Sequence, residues 1–270
     1  MIGICGLCKK TGELKNSHFI PSAIFKAVVQ GYAPYANAPV ILSVQNKTAV
    51  QHNFQPQKHF LCGDCEQRFC RGGEDYVTSV CHRKDGAFKL RDQLQKCTTK
   101  HLVEGKRVFL GSDIEGLVDV EACRYFALSI IWRNSVTQWP GIDLRHLHSL
   151  GSKYESAISE YLLGAAPAPT EALVGVQVDF DDKPFVALTF PSHEKVREEG
   201  YVAIRHVFMI PGVRFVVQVG RDAARLNARA NPRGLPTFYE WAFRGSQIFD
   251  YAAQHSRSAT PKGKLASNFP

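Results

Sequence analysis

Four cysteines in two tight pairs, Cys5-x-x-Cys8 and Cys62-x-x-Cys65, and a histidine between them carry the clearest chemistry in this chain. A C-x-x-C knuckle offers two sulfurs to one ion at about 2.3 Å, so two knuckles complete a tetrahedral thiolate site for structural zinc. The histidine is His18, in Asn16-Ser17-His18-Phe19-Ile20-Pro21. A neutral imidazole with a pKa of about 6.5 can take a proton from water at physiological pH. The blander reading is a core histidine hydrogen-bonded to backbone.

The 53 residues separating Cys8 from Cys62 are too many for a compact ribbon, so secondary structure must fold out from between the knuckles. Pro21 to Gln30 reads as a short helix with Ala23, Ile24, Ala27 and Val28 on one face, ended by Gly31. A Pro/Ala-rich loop follows, then a strand over residues 40–44 and an extended segment over 55–61. Glu66 to Phe69 should begin a helix that Gly72-Gly73 interrupts. Downstream, residues 118–138 form the strongest helix pattern, with Val120, Cys123, Ala127, Ile130 and Ile131 at three- and four-residue steps. A helix over 152–163 and a linker at Ala165 to Pro169 come next. Residues 173–180 and 185–190 read as a hairpin around Asp181 to Pro184, and 201–210 and 213–219 as two more strands of a small antiparallel sheet.

The order of these features resembles the zinc-containing HNH nucleases of the His-Me finger group, which are built on a ββα-metal, treble-clef-like core. The matching residues are Cys5-Gly6-Leu7-Cys8, Ser17-His18-Phe19-Ile20-Pro21 and Leu61-Cys62-Gly63-Asp64-Cys65-Glu66, within residues 3–75. The resemblance implies that His18 is a general base, that Gln57 stands in for the asparagine that orients it, and that one divalent metal, magnesium or manganese, assists phosphodiester cleavage. Glu66 and Glu74 would be oxygen ligands to that metal, with Cys70 one helical turn past Glu66. The pattern departs from the family at Ser17, where a ligand usually precedes the base, and in the absence of a histidine on the following helix. Glu66 equally fits a carboxylate stabilising a helix N-terminus. His59 reads as an exposed strand residue.

Net charge is +8, and from Arg221 to the end eight Lys or Arg face three acids. Basic excess favours a polyanionic partner, DNA above all, although it also serves solubility. Arg221, Arg225 and Arg229 would align along one helical face able to follow phosphates, or be a plain solvated face. No apolar run reaches the roughly 18 residues needed to span a bilayer, and the N-terminus lacks a secretory pattern. Eight cysteines without an export signal indicate metal binding in a reducing cytoplasm rather than a disulfide framework.

The expected architecture is therefore α+β: a zinc-stabilised HNH-like module over 1–80, an α+β region over 81–255 and a basic flexible tail over 256–270. The expected function is metal-dependent DNA cleavage in bacterial defence, restriction or mobile-element biology. The alternative is a non-catalytic zinc-stabilised module that binds nucleic acid or protein. A homo-oligomer or a sensing partner stays open.

Overall fold

The computed structural model describes residues 1–32, 40–43, 47–83, 85–98, 101–198, 200–230, 234–244 and 246–268. Strand β1 (Ile2–Ile4) leads through the first knuckle to β2 (Thr11–His18), helix α1 (Ser22–Tyr32), β3 (Val40–Ser43), β4 (Thr48–Gln51) and β5 (Gln57–Cys62). A helical run follows: α2 (Gly63–Phe69), a π-helical turn (Cys70–Glu74), α3 (Asp75–Val80) and α4 (Lys89–Gln95). Next come β6 (His101–Val103), β7 (Lys106–Leu110), α5 (Gly111–Ile114), α6 (Val120–Val136), a 3₁₀ turn (Leu144–His146) and α7 (Ser152–Leu162). The C-terminal part contains β8 (Ala172–Asp179), β9 (Thr189–Glu198), β10 (Tyr201–Ile210), β11 (Val213–Val219), α8 (Arg221–Ala230), β12 (Thr237–Trp241), α9 (Gln247–Ser258) and β13 (Thr260–Lys262). The class is α+β, as expected.

Helix α6 organises the molecule. Its sequence shows one apolar stripe, yet Val120, Phe126, Leu128, Ser129, Trp132, Arg133 and Asn134 are all buried, so the helix is enclosed on nearly every side. The π-helical turn, α3 and α7 pack on it, and strands β9 and β11 of the large sheet pack on it as well. The largest group of buried residues accordingly runs from Cys5 to Phe238, on both sides of residue 80.

Three features differ from the sequence expectation. Gly72-Gly73 does not interrupt the helix after Cys65; the chain stays helical from α2 through the π-helical turn into α3. The glycines serve close approach instead. A Cβ on Gly73 would lie 2.5 Å from the Ala122 carbonyl oxygen and 2.9 Å from the Phe126 nitrogen, and one on Gly72 would lie 2.6 Å from the Tyr125 ring. Gly73→Ala is thus expected to push α6 off the helical run and destabilise the protein by about 1–3 kcal/mol. Gly116→Ala, which meets nothing within 4 Å, should stay near wild type. Equal urea midpoints for the two variants would refute this account.

The second difference lies in the sheet, which is neither small nor wholly antiparallel. It has seven strands in the order β6-β7-β12-β8-β11-β10-β9, with β12 and β8 parallel. The expected 201–219 hairpin forms, Ile210 pairing with Val213 across Pro211-Gly212, where Gly212 has φ of 74°. The hairpin expected over 173–190 does not form. The buried Asp179 carboxylate accepts the amides of Asp181 (3.0 Å) and Phe185 (2.8 Å), while the Phe185 ring stacks on Phe243 at 3.8 Å. This holds residues 180–188 as a loop, and β9 pairs with β10.

Thirdly, the stretch expected as a flexible tail contains the end of α9 and strand β13, which pairs in parallel with β4, Thr260 opposite Thr48. The Thr260 amide donates to the Lys47 carbonyl at 2.8 Å. Strand β13 thereby completes a three-stranded sheet with β4 and β3. The Pro/Ala-rich loop, Val44, the helix end expected at Asn231-Pro232 and Arg233 lie outside the described residues.

Candidate functional site

The first knuckle turns tightly between β1 and β2. Lys9 takes a left-handed φ of 59°, and the Cys5 amide donates to the Lys10 carbonyl at 2.9 Å. The Gly6 amide donates to the Phe60 carbonyl at 2.8 Å, tying this turn to β5. Strand β5 ends at Cys62, and Cys65 sits in the first turn of α2. The four sulfurs of Cys5, Cys8, Cys62 and Cys65 lie within 4.8 Å of one another, the one such group of metal-ligating side chains among the described residues. Cys8 and Cys62 sulfurs are 3.8 Å apart, which matches the edge of about 3.8 Å that a tetrahedron with 2.3 Å metal–sulfur bonds requires. Burial pushes the Cys5 thiol up, but the backbone amides of Cys62, Cys8 and Leu7 outweigh it and bring the group down to about 7. Burial drives Cys65 the other way, upward. The cluster can hold a metal ion such as zinc.

Beside this centre, β2 and β5 form an antiparallel ribbon in which His18 stands directly across from Gln57. Strand alternation separates Ser17 from its neighbour. Ser17 is buried, its hydroxyl accepting the Leu61 amide at 3.1 Å, so the residue preceding His18 serves the core and not the cavity. His18 instead lines a cavity of about 560 Å³ together with Glu66, Cys70, Glu74 and Arg133. The exposed Lys26 and Arg83 add positive charge to its wall, and Asp75 adds negative.

The structure thus brings His18, Glu66 and Glu74 to one cavity. Glu66 and Glu74 are unequal, however. Arg133, buried on α6, donates from Nη2 to Glu74 Oε1 at 2.5 Å and from Nη1 to the Phe19 carbonyl at 3.0 Å. Its guanidinium also covers the Phe69 ring at 4.5 Å. The other Glu74 oxygen faces the Cys70 sulfur at 3.8 Å. Burial, then the charges of Glu74, Asp75 and Glu66, push the Cys70 thiol up to about 11, so it is a neutral thiol at physiological pH. Glu66 keeps one carboxylate oxygen, Oε1, buried without a hydrogen-bond partner.

Gln57 is across from His18, but its Oε1 accepts from Asn16 Nδ2 at 2.6 Å, and no hydrogen bond joins Gln57 to His18 among the described residues. His59 is exposed, its ring nitrogen 3.1 Å from the Leu14 carbonyl oxygen. Sequence reasoning missed Arg133 as a cavity residue. Its partner Glu74 lies 59 residues away, so the pair left no local trace in the sequence. Lys26, Asp75 and Arg83 were missed as well. Lys26 was the most accessible of these, one turn into a helix opened by Pro21.

The arginine stripe is elsewhere. Helix α8 packs on β8 and β10; Arg221 is exposed, and Arg225 is paired with Asp222 at 3.3 Å. The backbone of Arg229 belongs to α8, and its side chain lies outside the described residues. Among the described residues no helix is long and apolar enough to cross a membrane. No protein-family model, curated protein or solved structure matches the chain, so the geometry of the site carries the functional reading.

Proposed function

We propose that the N-terminal part is an HNH-like, treble-clef nuclease module that hydrolyses phosphodiester bonds in DNA, in a defence, restriction or mobile-element setting. The observation that carries this reading is the joint presence of His18 and the unpartnered buried oxygen of Glu66 in one cavity next to a four-thiol centre. The order knuckle, β2, β5, second knuckle, α2 also supports a ββα core. Zinc at Cys5, Cys8, Cys62 and Cys65 braces the ribbon and helix that carry these groups.

In this mechanism His18 accepts the proton of the attacking water while oxygen adds to phosphorus and the ester P–O bond breaks. Glu66 fits an oxygen-liganded ion, because its free oxygen is buried and unsatisfied. Magnesium or manganese bound there would stabilise the charge on phosphorus and on the leaving oxygen. Arg133 holds the Phe19 carbonyl and so fixes the backbone next to His18. Lys26 and Arg83 supply positive charge for the phosphate backbone, with the α8 arginines as a more distant contact.

One observation favours the non-catalytic alternative: Glu74 is already engaged by Arg133, leaving the cavity short of oxygen ligands. Nicking of supercoiled plasmid with magnesium, manganese or EDTA decides between them. His18→Ala is expected to lower metal-dependent nicking about a hundredfold or more, with Cys-bound metal and melting temperature unchanged. Glu66→Gln should weaken the response to added metal. Equal nicking by wild type and His18→Ala would remove His18 as the base. Absence of nicking in every metal would favour the binding module.

A further inference from the structure

Three histidines lie close together outside this cavity, on and against the large sheet. His206 on β10 pairs in register with His193 on β9, so their side chains share one face of the sheet. The 3₁₀ turn that follows α6 lays His146 against them: His146 Nδ1 and His193 Nδ1 are 3.1 Å apart, and the His193 and His206 ring centroids are 5.8 Å apart. His206 is fully buried, and neither of its ring nitrogens has a hydrogen-bond partner. A buried imidazole with both nitrogens unsatisfied is costly, and native structures rarely keep such a group without a use for it.

We propose that His146, His193 and His206 form a second, nitrogen-liganded site for a divalent transition-metal ion of the zinc class. Neutral imidazole is a common protein ligand that suits zinc, copper(II) and nickel. Two nitrogens bound to one tetrahedral zinc at about 2.0–2.1 Å lie about 3.3 Å apart, close to the spacing of the His146 and His193 nitrogens. The His206 ring, its centroid 5.8 Å from that of His193, would turn toward His193 to supply the third nitrogen. Asp143 and Arg145 are the charged neighbours. Their mutual ion pair at 2.9 Å offsets the repulsion Arg145 would exert on a cation. A three-histidine site leaves a fourth position open to water. The proposal does not depend on the nuclease reading, since none of its residues lines that cavity.

The test uses the full chain, saturated with zinc, freed of unbound ion and analysed for metal content. Wild type is expected to hold about two zinc ions per chain, and the His146→Ala/His193→Ala double variant about one. Both substituted residues are half-buried, on a turn and an edge strand, and the variant's far-UV circular dichroism confirms its fold. A measurement on wild type alone is independent of folding: the second equivalent of zinc should shift the ring ¹⁵N resonances of all three histidines. Wild type holding only the thiolate-bound ion, a double variant that still holds two, or unmoved histidine resonances would each overturn the proposal. Loss of the Cys-bound ion in Cys65→Ser with the histidine shifts retained would separate the two sites.

Discussion

Glu74→Ala is expected to destabilise the protein by about 3–5 kcal/mol, because it strands a buried guanidinium. Arg133 is 1% exposed, and among the described residues Glu74 supplies the only carboxylate bonded to it. Its remaining contacts, the Phe19 carbonyl and the Phe69 ring, are neutral or partial charges that cannot replace a carboxylate. The pair is a weak source of net stability but a strong constraint, since removal of one partner costs far more than replacement of both. Glu74→Leu combined with Arg133→Met should therefore recover most of the loss. Urea denaturation of the single and double variants measures both effects. A Glu74→Ala variant within about 1 kcal/mol of wild type would show that Arg133 finds another partner. The consequence extends to the cavity, because Arg133 also anchors the residue after His18. A stable double variant with diminished nicking would locate that anchoring role in the guanidinium.

The larger effect is expected at the thiolate centre. Structural zinc contributes on the order of 10 kcal/mol to the folding of small metal-bound modules, and here the module shares its core with the rest of the chain. Cys65 is buried and lies in the first turn of α2, so Cys65→Ser removes one of the four thiols able to hold a metal ion where the helix, β5 and the first knuckle meet. A loss of even 4 kcal/mol corresponds to a fall in melting temperature of roughly 8–16 °C for a protein of this size. Cys65→Ser and chelation of wild type should lower it to a similar extent, and chelator should add little to the variant. Unchanged melting in both experiments would mean that the four thiols pack together without an ion. Cys97→Ser changes a buried cysteine outside the cluster and leaves all four thiols in place, so chelator should lower its melting by as much as it lowers that of wild type.

Much of what is local was legible in the chain. The cysteine spacings anticipated the four-thiol cluster, since a knuckle turn needs only a few residues to aim two sulfurs inward. The helices expected from apolar periodicity over 21–30, 118–138 and 152–163 are present at 22–32, 120–136 and 152–162, with Gly31 inside the first rather than ending it, and the 201–219 hairpin forms on a Pro-Gly turn whose glycine takes a positive φ. Each of these is decided by neighbours within a turn or two. Tertiary structure decided the rest. Gly72-Gly73 reads as a break until α6 is placed close enough that a Cβ would meet its backbone. Strand β12 joins β8 in parallel, and β13 joins β4, over separations that leave no periodic trace. The Arg133–Glu74 pair and the three histidines are likewise contacts between distant elements. Spacing determines which way a side chain leaves its own element; only packing of the elements determines what it meets.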